Sequence, residues 1–251
     1  MMHDEQGGIG VRFVGGGDAF GSGGRFQACT FVQAASTRLL LDCGASSLVA
    51  LKRLGMDPGA VDSVLVSHLH GDHFGGIPFL VLDGQFGRCE RPLLVAGPPG
   101  LQERVLQAME VLFPGSSGVQ RRFAVQWLGL PERQAVHLGS LVVTAFPVVH
   151  PSGAPAYAFR LAYQDKVLAY SGDTEWTEAL VEAAHGADLF LCECYTVERQ
   201  VKFHLSYAAI RAHRARLGCR RLILTHLGAD ALARLDEIVD EIAQEGERLR
   251  L

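Results

Sequence analysis

Within the stretch SHLHGDHFGG, residues 67–76, the chain places His68, His70, Asp72 and His73 almost side by side. Neutral imidazole and carboxylate are good ligands for divalent metals. One histidine near a strand end is ordinarily a surface or hydrogen-bonded residue. Three crowded around an acid are different: with no cation among them they would repel on protonation and bury polar atoms without partners. The spacing therefore points to metal binding. The preceding VLVSH reads as the end of a buried strand, and side chains two apart on a strand share one side, roughly 6–7 Å apart. Residues two apart on a helix face different ways, so a helix does not explain the pattern. Gly71 reads as the turn, Asp72 and His73 follow on it, and a short helical segment starts near Gly75.

This cluster does not complete two metal shells, so further ligands must come from elsewhere. The texture of the chain shows where. Runs rich in β-branched and other apolar residues predict strands at 11–14, 28–34, 38–43, 61–68, 92–97, 123–128, 140–149, 155–163, 166–172, 188–194 and 220–226. Helical patterns fall at 46–55, 99–113, 175–186, 206–218 and 231–249; the last carries Leu232, Leu235, Ile238, Val239 and Ile242 as one stripe. His150 ends the strand SLVVTAFPVVH, His226 ends RRLILTH, and Asp173 in YSGDT follows KVLAY. All three sit where a strand gives way to a loop, as His68 does. His185 and His213 lie inside helical patterns, His3 in the N-terminal tail and His137 near a loop-to-strand boundary, and these four read as non-ligands. The first half is mainly strands and the second alternates strand and helix, with no long linker and no repeat. The expectation is one α/β domain over residues 1–251, two strand-rich halves meeting in a sandwich with helices outside.

Composition bounds the function. The 251 residues are 48% hydrophobic and 20% charged, ordinary for a soluble globular protein, with a net charge of -4. That balance argues against a strong sequence-independent grip on nucleic acid. No apolar run reaches the length of a membrane span, and MMHDEQGGIG lacks the features of a signal peptide. The cysteines Cys29, Cys43, Cys89, Cys192, Cys194 and Cys219 form no CxxC pair and read as reduced thiols. A cytoplasmic location and no membrane partner are expected. The glycine-rich FVGGGDAFGSGGRFQACTF opens into a strand rather than a helix, which breaks the dinucleotide fingerprint. Its loop, 15–24, reads as a flexible rim element or a plain turn.

Taken in order, HLHGDH, FPVVH, SGDT and LILTH resemble the metallo-β-lactamase superfamily, closest to its ribonuclease Z-like branch, over nearly the whole chain from LLLDCG onward. The resemblance implies a four-layer αβ/βα sandwich, two mixed β-sheets flanked by helices, with two divalent ions, usually zinc; His and Asp shells also accept manganese or iron. Carried over residue by residue, His68, His70 and His150 would hold the first metal and Asp72, His73 and His226 the second. Asp173 would bridge them, with Asp42 as a structural acid beneath. Glu193 and His204 would complete the catalytic set with Asp72: a hydroxide shared by the metals attacks, and His204 protonates the leaving oxygen. A helix N-terminus would disfavour the imidazolium and a nearby Glu193 would favour it, so their pairing is part of the expectation. Class B β-lactamases have a cysteine at the second metal, and none matches here. Members that process tRNA carry a long glycine- and proline-rich arm. In the form resembled, that arm lies between the third and fourth motifs, where this chain has only PSGAPAYAFRLAYQDKVLAYSG, read as two strands and a turn. The expected activity is hydrolysis of a small or nucleotide-type phosphodiester, with structured RNA disfavoured. A tRNA 3′-processing endonuclease, an ester, lactone or sulfate hydrolase, and a metal-binding scaffold or sensor stay open as alternatives. A homodimer is expected by analogy with that branch.

Overall fold

The computed structural model describes residues 7–251. His3 and the start of the N-terminal tail therefore lie outside the described residues. The first half forms β1 (Ile9–Gly15), β2 (Cys29–Ala34), β3 (Thr37–Leu41), α1 (Ser47–Arg53), β4 (Ser63–Leu65), α2 (Gly71–Phe74), α3 (Ile77–Phe86), β5 (Leu93–Gly97), α4 (Leu101–Leu112) and β6 (Val125–Gly129). The second forms β7 (Ala135–Leu138), β8 (Leu141–Val148), β9 (Ala156–Tyr163), β10 (Lys166–Tyr170), α5 (Glu178–Ala184), β11 (Leu189–Glu193), α6 (Tyr207–Leu217), β12 (Arg221–Thr225), α7 (Ala229–Leu232), β13 (Glu241–Ile242) and β14 (Arg248–Arg250). They build two seven-stranded sheets, ordered β14-β1-β2-β3-β4-β5-β6 and β13-β12-β11-β10-β9-β8-β7. Each is antiparallel at one end and parallel at the other.

The strands are near-continuous apolar runs because both faces are covered. In β3, Leu39 and Leu41 enter the core between the sheets while Leu40 points to the helix-covered face. In β11, Leu189 and Leu191 point inward, and Phe190 and Cys192 pack on the outer side with Leu180 and Ile210. Cys194 joins that outer cluster, so both cysteines are core residues, and no disulfide links the six thiols. Residues of both halves share the inter-sheet core, Phe13, Leu39 and Leu65 among them from one sheet and Tyr157, Leu191 and Ile223 from the other. This is the expected four-layer sandwich. No helix among the described residues is long and apolar enough to cross a membrane.

Two expectations need correction. Residues 231–249 are not one helix. They form α7, a 3-10 turn at Leu235–Glu237, and the edge strands β13 and β14. Tertiary contacts override the helical period. β13 extends the second sheet beside β12, and β14 closes the first beside β1. The Tyr207 hydroxyl donates to Asp240 at 3.0 Å, and Gly246 takes φ 88°. The supposed stripe splits: Leu232, Ile238 and Ile242 pack on the outer core while Val239 is 88% exposed. Second, the strand expected over 61–68 stops at Leu65, and the metal-type histidines stand on the loop and short helix beyond it. His137 is the third residue of the four-residue β7.

Candidate metal centre

The loop leaving β4 reaches His70, whose extended backbone (φ −92°, ψ 149°) caps α2, and Asp72 and His73 lie within that single helical turn. Gly71 is not forced to be glycine: its φ is not positive and nothing approaches the place of a Cβ. The glycine that matters is Gly44, where a Cβ would stand 2.3 Å from the backbone oxygen of Asp72. Its absence lets the chain after β3 press against the helix that carries the cluster. Cys43 N–H donates to the His73 oxygen at 2.7 Å and Gly76 N–H to the Cys43 oxygen at 2.8 Å, fastening the same seam.

The remaining groups arrive from the second sheet. His150 follows β8, Asp173 follows β10 and His226 follows β12. The potential ligand atoms of His68, His70 and His150 lie within 4.8 Å of one another, as do those of Asp72, His73, Asp173 and His226. The Asp173 carboxylate stands between the sets, 3.3 Å from the Nε2 atoms of His73 and His226 and 3.9 Å from that of His68. His68 and His70 meet edge to face with centroids 4.9 Å apart, although no strand joins them.

Hydrogen bonds fix which nitrogens face inward. Asp42, with φ 58°, accepts from Ser67 N–H at 2.7 Å, from the Ser67 hydroxyl at 2.8 Å, from the Tyr170 hydroxyl at 2.7 Å and from His73 Nδ1–H at 2.7 Å. The Ser67 oxygen in turn accepts from His68 Nδ1–H at 3.0 Å, and the Phe203 carbonyl accepts from His150 Nδ1–H at 2.9 Å. Each bond at Nδ1 turns Nε2 toward the centre, the arrangement that orients metal-binding imidazoles, and His150 Nε2 lies 3.0 Å from His70 Nδ1 there. His68 Nε2, His73 Nε2 and Asp173 Oδ1 are buried without an aligned hydrogen-bond partner, as is Nδ1 of His226. Buried His68 Nε2, His73 Nε2 and Asp173 Oδ1 without aligned partners, inside clustered ligand-type groups, fit divalent cations better than any packing role. Asp42→Asn keeps the shape but weakens the grip on His73 and its tautomer. We expect metal affinity to fall by about 10- to 100-fold in a chelator competition, with the fold retained.

The charges agree. Burial opposes protonation of His73 and His226, yet Asp173 and Asp72 outweigh it, holding His73 well above the usual histidine range and His226 at about 9. Burial alone would raise the carboxyls, but the same histidines hold Asp72 and Asp173 well below the usual range. Burial pushes His68, His70 and His150 down, keeping them neutral. His68, His70 and His150 are thus in the neutral state a metal needs, whereas His73 and His226 hold protons that an arriving cation would displace.

Glu193 ends β11 and is fully buried, not a surface residue. Its Oε1 accepts from Thr174 N–H, next to Asp173, and its Oε2 lies 2.9 Å from His204 Nδ1. Burial and then Asp173 push Glu193 up to about 7. Burial lowers His204, but the Glu193 hydrogen bond and charge outweigh it and leave His204 raised. His204 lies before the cap Ser206 of α6, so Glu193 and not the helix decides its charge. Tyr195 stacks on it at 4.6 Å. Sequence reasoning did not find Ser67, Tyr170, Tyr195 or the Phe203 carbonyl. Ser67 adjoins the motif and Tyr170 ends KVLAY, but nothing in their spacing marks them.

His226, with φ 55°, is a non-glycine residue in the left-handed region, a strain of about 1–3 kcal/mol that its surroundings must offset. The glycine-rich loop supplies part of that support: His226 N–H donates to the Gly16 oxygen at 2.9 Å, and Gly17 bridges Leu227. The loop thus borders the centre. The other histidines stand apart from it: His213 stacks on Trp176 at 3.9 Å and His185 caps α5.

Against known proteins, the family described as Anti-Pycsar protein Apyc1 matches residues 9–239. Ribonuclease BN of Cronobacter sakazakii is 33% identical over 127 residues, 51% of this chain and 40% of its own length. The chain thus spans about two fifths of that curated relative. Among solved structures, the metallo-β-lactamase fold protein YhfI of Bacillus subtilis superposes with TM-score 0.80 at 20% identity, over 98% of this chain and 100% of that one. Human tRNase Z, short form, superposes with TM-score 0.76 at 21% identity, over 96% and 98%. The chain therefore has the metallo-β-lactamase fold, as its motifs led one to expect.

Proposed function

The chain belongs to the Anti-Pycsar protein Apyc1 family, and from that membership and the geometry of its centre we propose that it is a metal-dependent phosphodiesterase acting on a small or nucleotide-type phosphodiester. The observation that carries this reading is the Glu193–His204 pair. His204 Nδ1 is 2.9 Å from a buried carboxylate, and its side chain is 19% exposed at the rim of a histidine- and aspartate-rich centre. A scaffold that only stored metal has no use for such a proton donor.

His68, His70 and His150 would hold one ion, Asp72, His73 and His226 the other, and Asp173 would face both. Two divalent ions there, zinc by resemblance, would supply a water activated near neutral pH and neutralise charge on the phosphoryl oxygens. The chain's own residues do the rest. Asp72, kept ionised and 3.2 Å from His226 Nε2, would accept a hydrogen bond from the attacking water and orient it. His204 would donate its Nε2 proton to the leaving oxygen. Glu193 holds His204 by Nδ1, so Nε2 faces the rim, and it stabilises the imidazolium until transfer.

A tRNA 3′-processing reading has the ribonuclease BN relative in its favour. Against it, the segment between His150 and Asp173 is taken up by β9, a turn and β10, paired residue for residue from Lys166↔Tyr163 to Tyr170↔Phe159. A clamp for structured RNA would have to come from elsewhere.

The test is a hydrolysis screen of metal-analysed protein against bis-p-nitrophenyl phosphate, cyclic nucleotides, aryl sulfates, lactones and precursor tRNA. Turnover of the diester and of one or more cyclic nucleotides is expected. Cleavage confined to precursor tRNA, or to sulfates or lactones, would replace this reading.

A further inference from the structure

The catalytic groups leave one feature unused. Beside Gly71 and Asp72 an open groove of about 710 Å³ runs between α2 and α4. Phe74 and Phe79 line it, as does Ala19 of the glycine-rich loop. α4 presents Arg104, Gln107, Ala108 and Val111 to it, one stripe at helical spacing. The neighbouring stripe, Leu101, Val105 and Met109, is buried under the first sheet. Packing on that cluster accounts for Leu101, Val105, Met109 and Ala108 and leaves Arg104, Gln107 and Val111 without a role. Val111 is 81% exposed and Leu112, also on the wall, is 47% exposed. Large apolar side chains lining a groove that opens on a metal centre are the signature of a ligand wall.

Arg104 is the one cation on that wall. Its guanidinium makes no ion pair or side-chain hydrogen bond among the described residues. It lies against the loop that follows His150, where a Cβ on Gly153 would stand 3.1 Å from its terminal nitrogen. Gln27, also on the wall, is already committed, donating to the Ala19 oxygen at 2.8 Å. Arg104 and Gln107 are the polar side chains that α4 contributes to the groove.

Resting on the phosphodiesterase reading, we propose that this groove seats the base of a nucleoside phosphodiester whose phosphate lies at the metal centre. Arg104 and Gln107, one turn apart, bind the base's edge, and Val111 packs against its ring. A guanidinium offers paired donors in a fixed fork, and a glutamine amide both donates and accepts, which suits a ring edge carrying mixed groups. A plain alkyl group would cover Arg104 and leave its charge without an acceptor. The apolar Phe74, Phe79 and Val111 suit the faces of a flat ring.

Calorimetric titration of the metal-loaded full chain with the four nucleoside 5′-monophosphates and with inorganic phosphate tests this. At least one nucleotide is expected to bind more tightly than phosphate. Arg104→Ala and, separately, Val111→Asp should weaken that nucleotide about tenfold or more, the scale of one lost bidentate contact. Phosphate affinity should change less than about twofold. KM for the matching diester should rise more than kcat falls. Unchanged nucleotide affinity in both variants, equal losses for nucleotide and phosphate, or a wild type that prefers phosphate would each overturn the proposal. Wild-type protein that binds a nucleotide through Arg104 yet hydrolyses no phosphodiester removes the function proposed above and leaves the groove. Hydrolysis that ignores both substitutions does the reverse.

Discussion

His204→Ala is expected to slow cleavage of phosphodiesters with alkoxide leaving groups by about 10²- to 10⁴-fold, the usual yield of a positioned general acid. A cyclic nucleotide leaves as a sugar alkoxide, which needs a proton as its bond to phosphorus breaks. p-Nitrophenolate leaves well without one, so bis-p-nitrophenyl phosphate should lose far less. Glu193 sharpens the test. Its carboxylate raises His204 above the ordinary histidine value, after burial has pulled the other way. A general acid must be protonated, so activity should fall as pH rises through that elevated value. In Glu193→Gln the amide preserves the size of the side chain and removes the charge. The alkaline limb of the pH–rate profile should then move to lower pH. Equal losses for both leaving groups, or an unmoved limb, would take the acid role from His204.

Asp173→Asn is the second large effect. This carboxylate stands within 4.0 Å of nitrogens on His68, His73, His204 and His226, and it is buried. An amide keeps the volume but offers one neutral oxygen where two charged ones faced both ligand sets. Without the carboxylate, His73 and His226 lose the main charge that raises them, and two cations would lose their shared counter-charge. We expect metal content to drop below two ions per chain and kcat/KM to fall by at least about 10²- to 10³-fold, the scale of losing one preorganised electrostatic contact. Elemental analysis alongside steady-state kinetics measures both. Full metal content with near wild-type turnover would remove Asp173 from the centre.

How much of this was visible in the chain follows from what each residue does. The ligand-type residues were legible because strands covered on both faces are apolar runs, and a histidine or aspartate ending such a run stands out. His150 after β8, Asp173 after β10 and His226 after β12 share that signature, and all reach the centre. The supporting groups were not legible. The Phe203 carbonyl is a backbone atom with no residue type to announce it, and Ser67 and Tyr170 act only because Asp42 is folded between them. The C-terminal segment misled because Leu232, Ile238 and Ile242 keep a helical interval by coincidence while serving a short helix, a loop and an edge strand. Period alone does not register that both sheets still needed an edge. The short α2 was hidden for a related reason: one turn around Asp72 and His73 is too brief to show a period, and it is held by Gly44 and Cys43 from a distant strand end.

The central claim is that these side chains gather two cations at one place. Anomalous diffraction from crystals of zinc- or manganese-loaded protein, collected at the metal's absorption edge, reads this directly. Two peaks are predicted in each chain, one enclosed by His68, His70 and His150 and one by Asp72, His73 and His226, with the Asp173 carboxylate between them. No peak at either set in metal-replete protein, or metal bound only at a surface site elsewhere, would contradict the account.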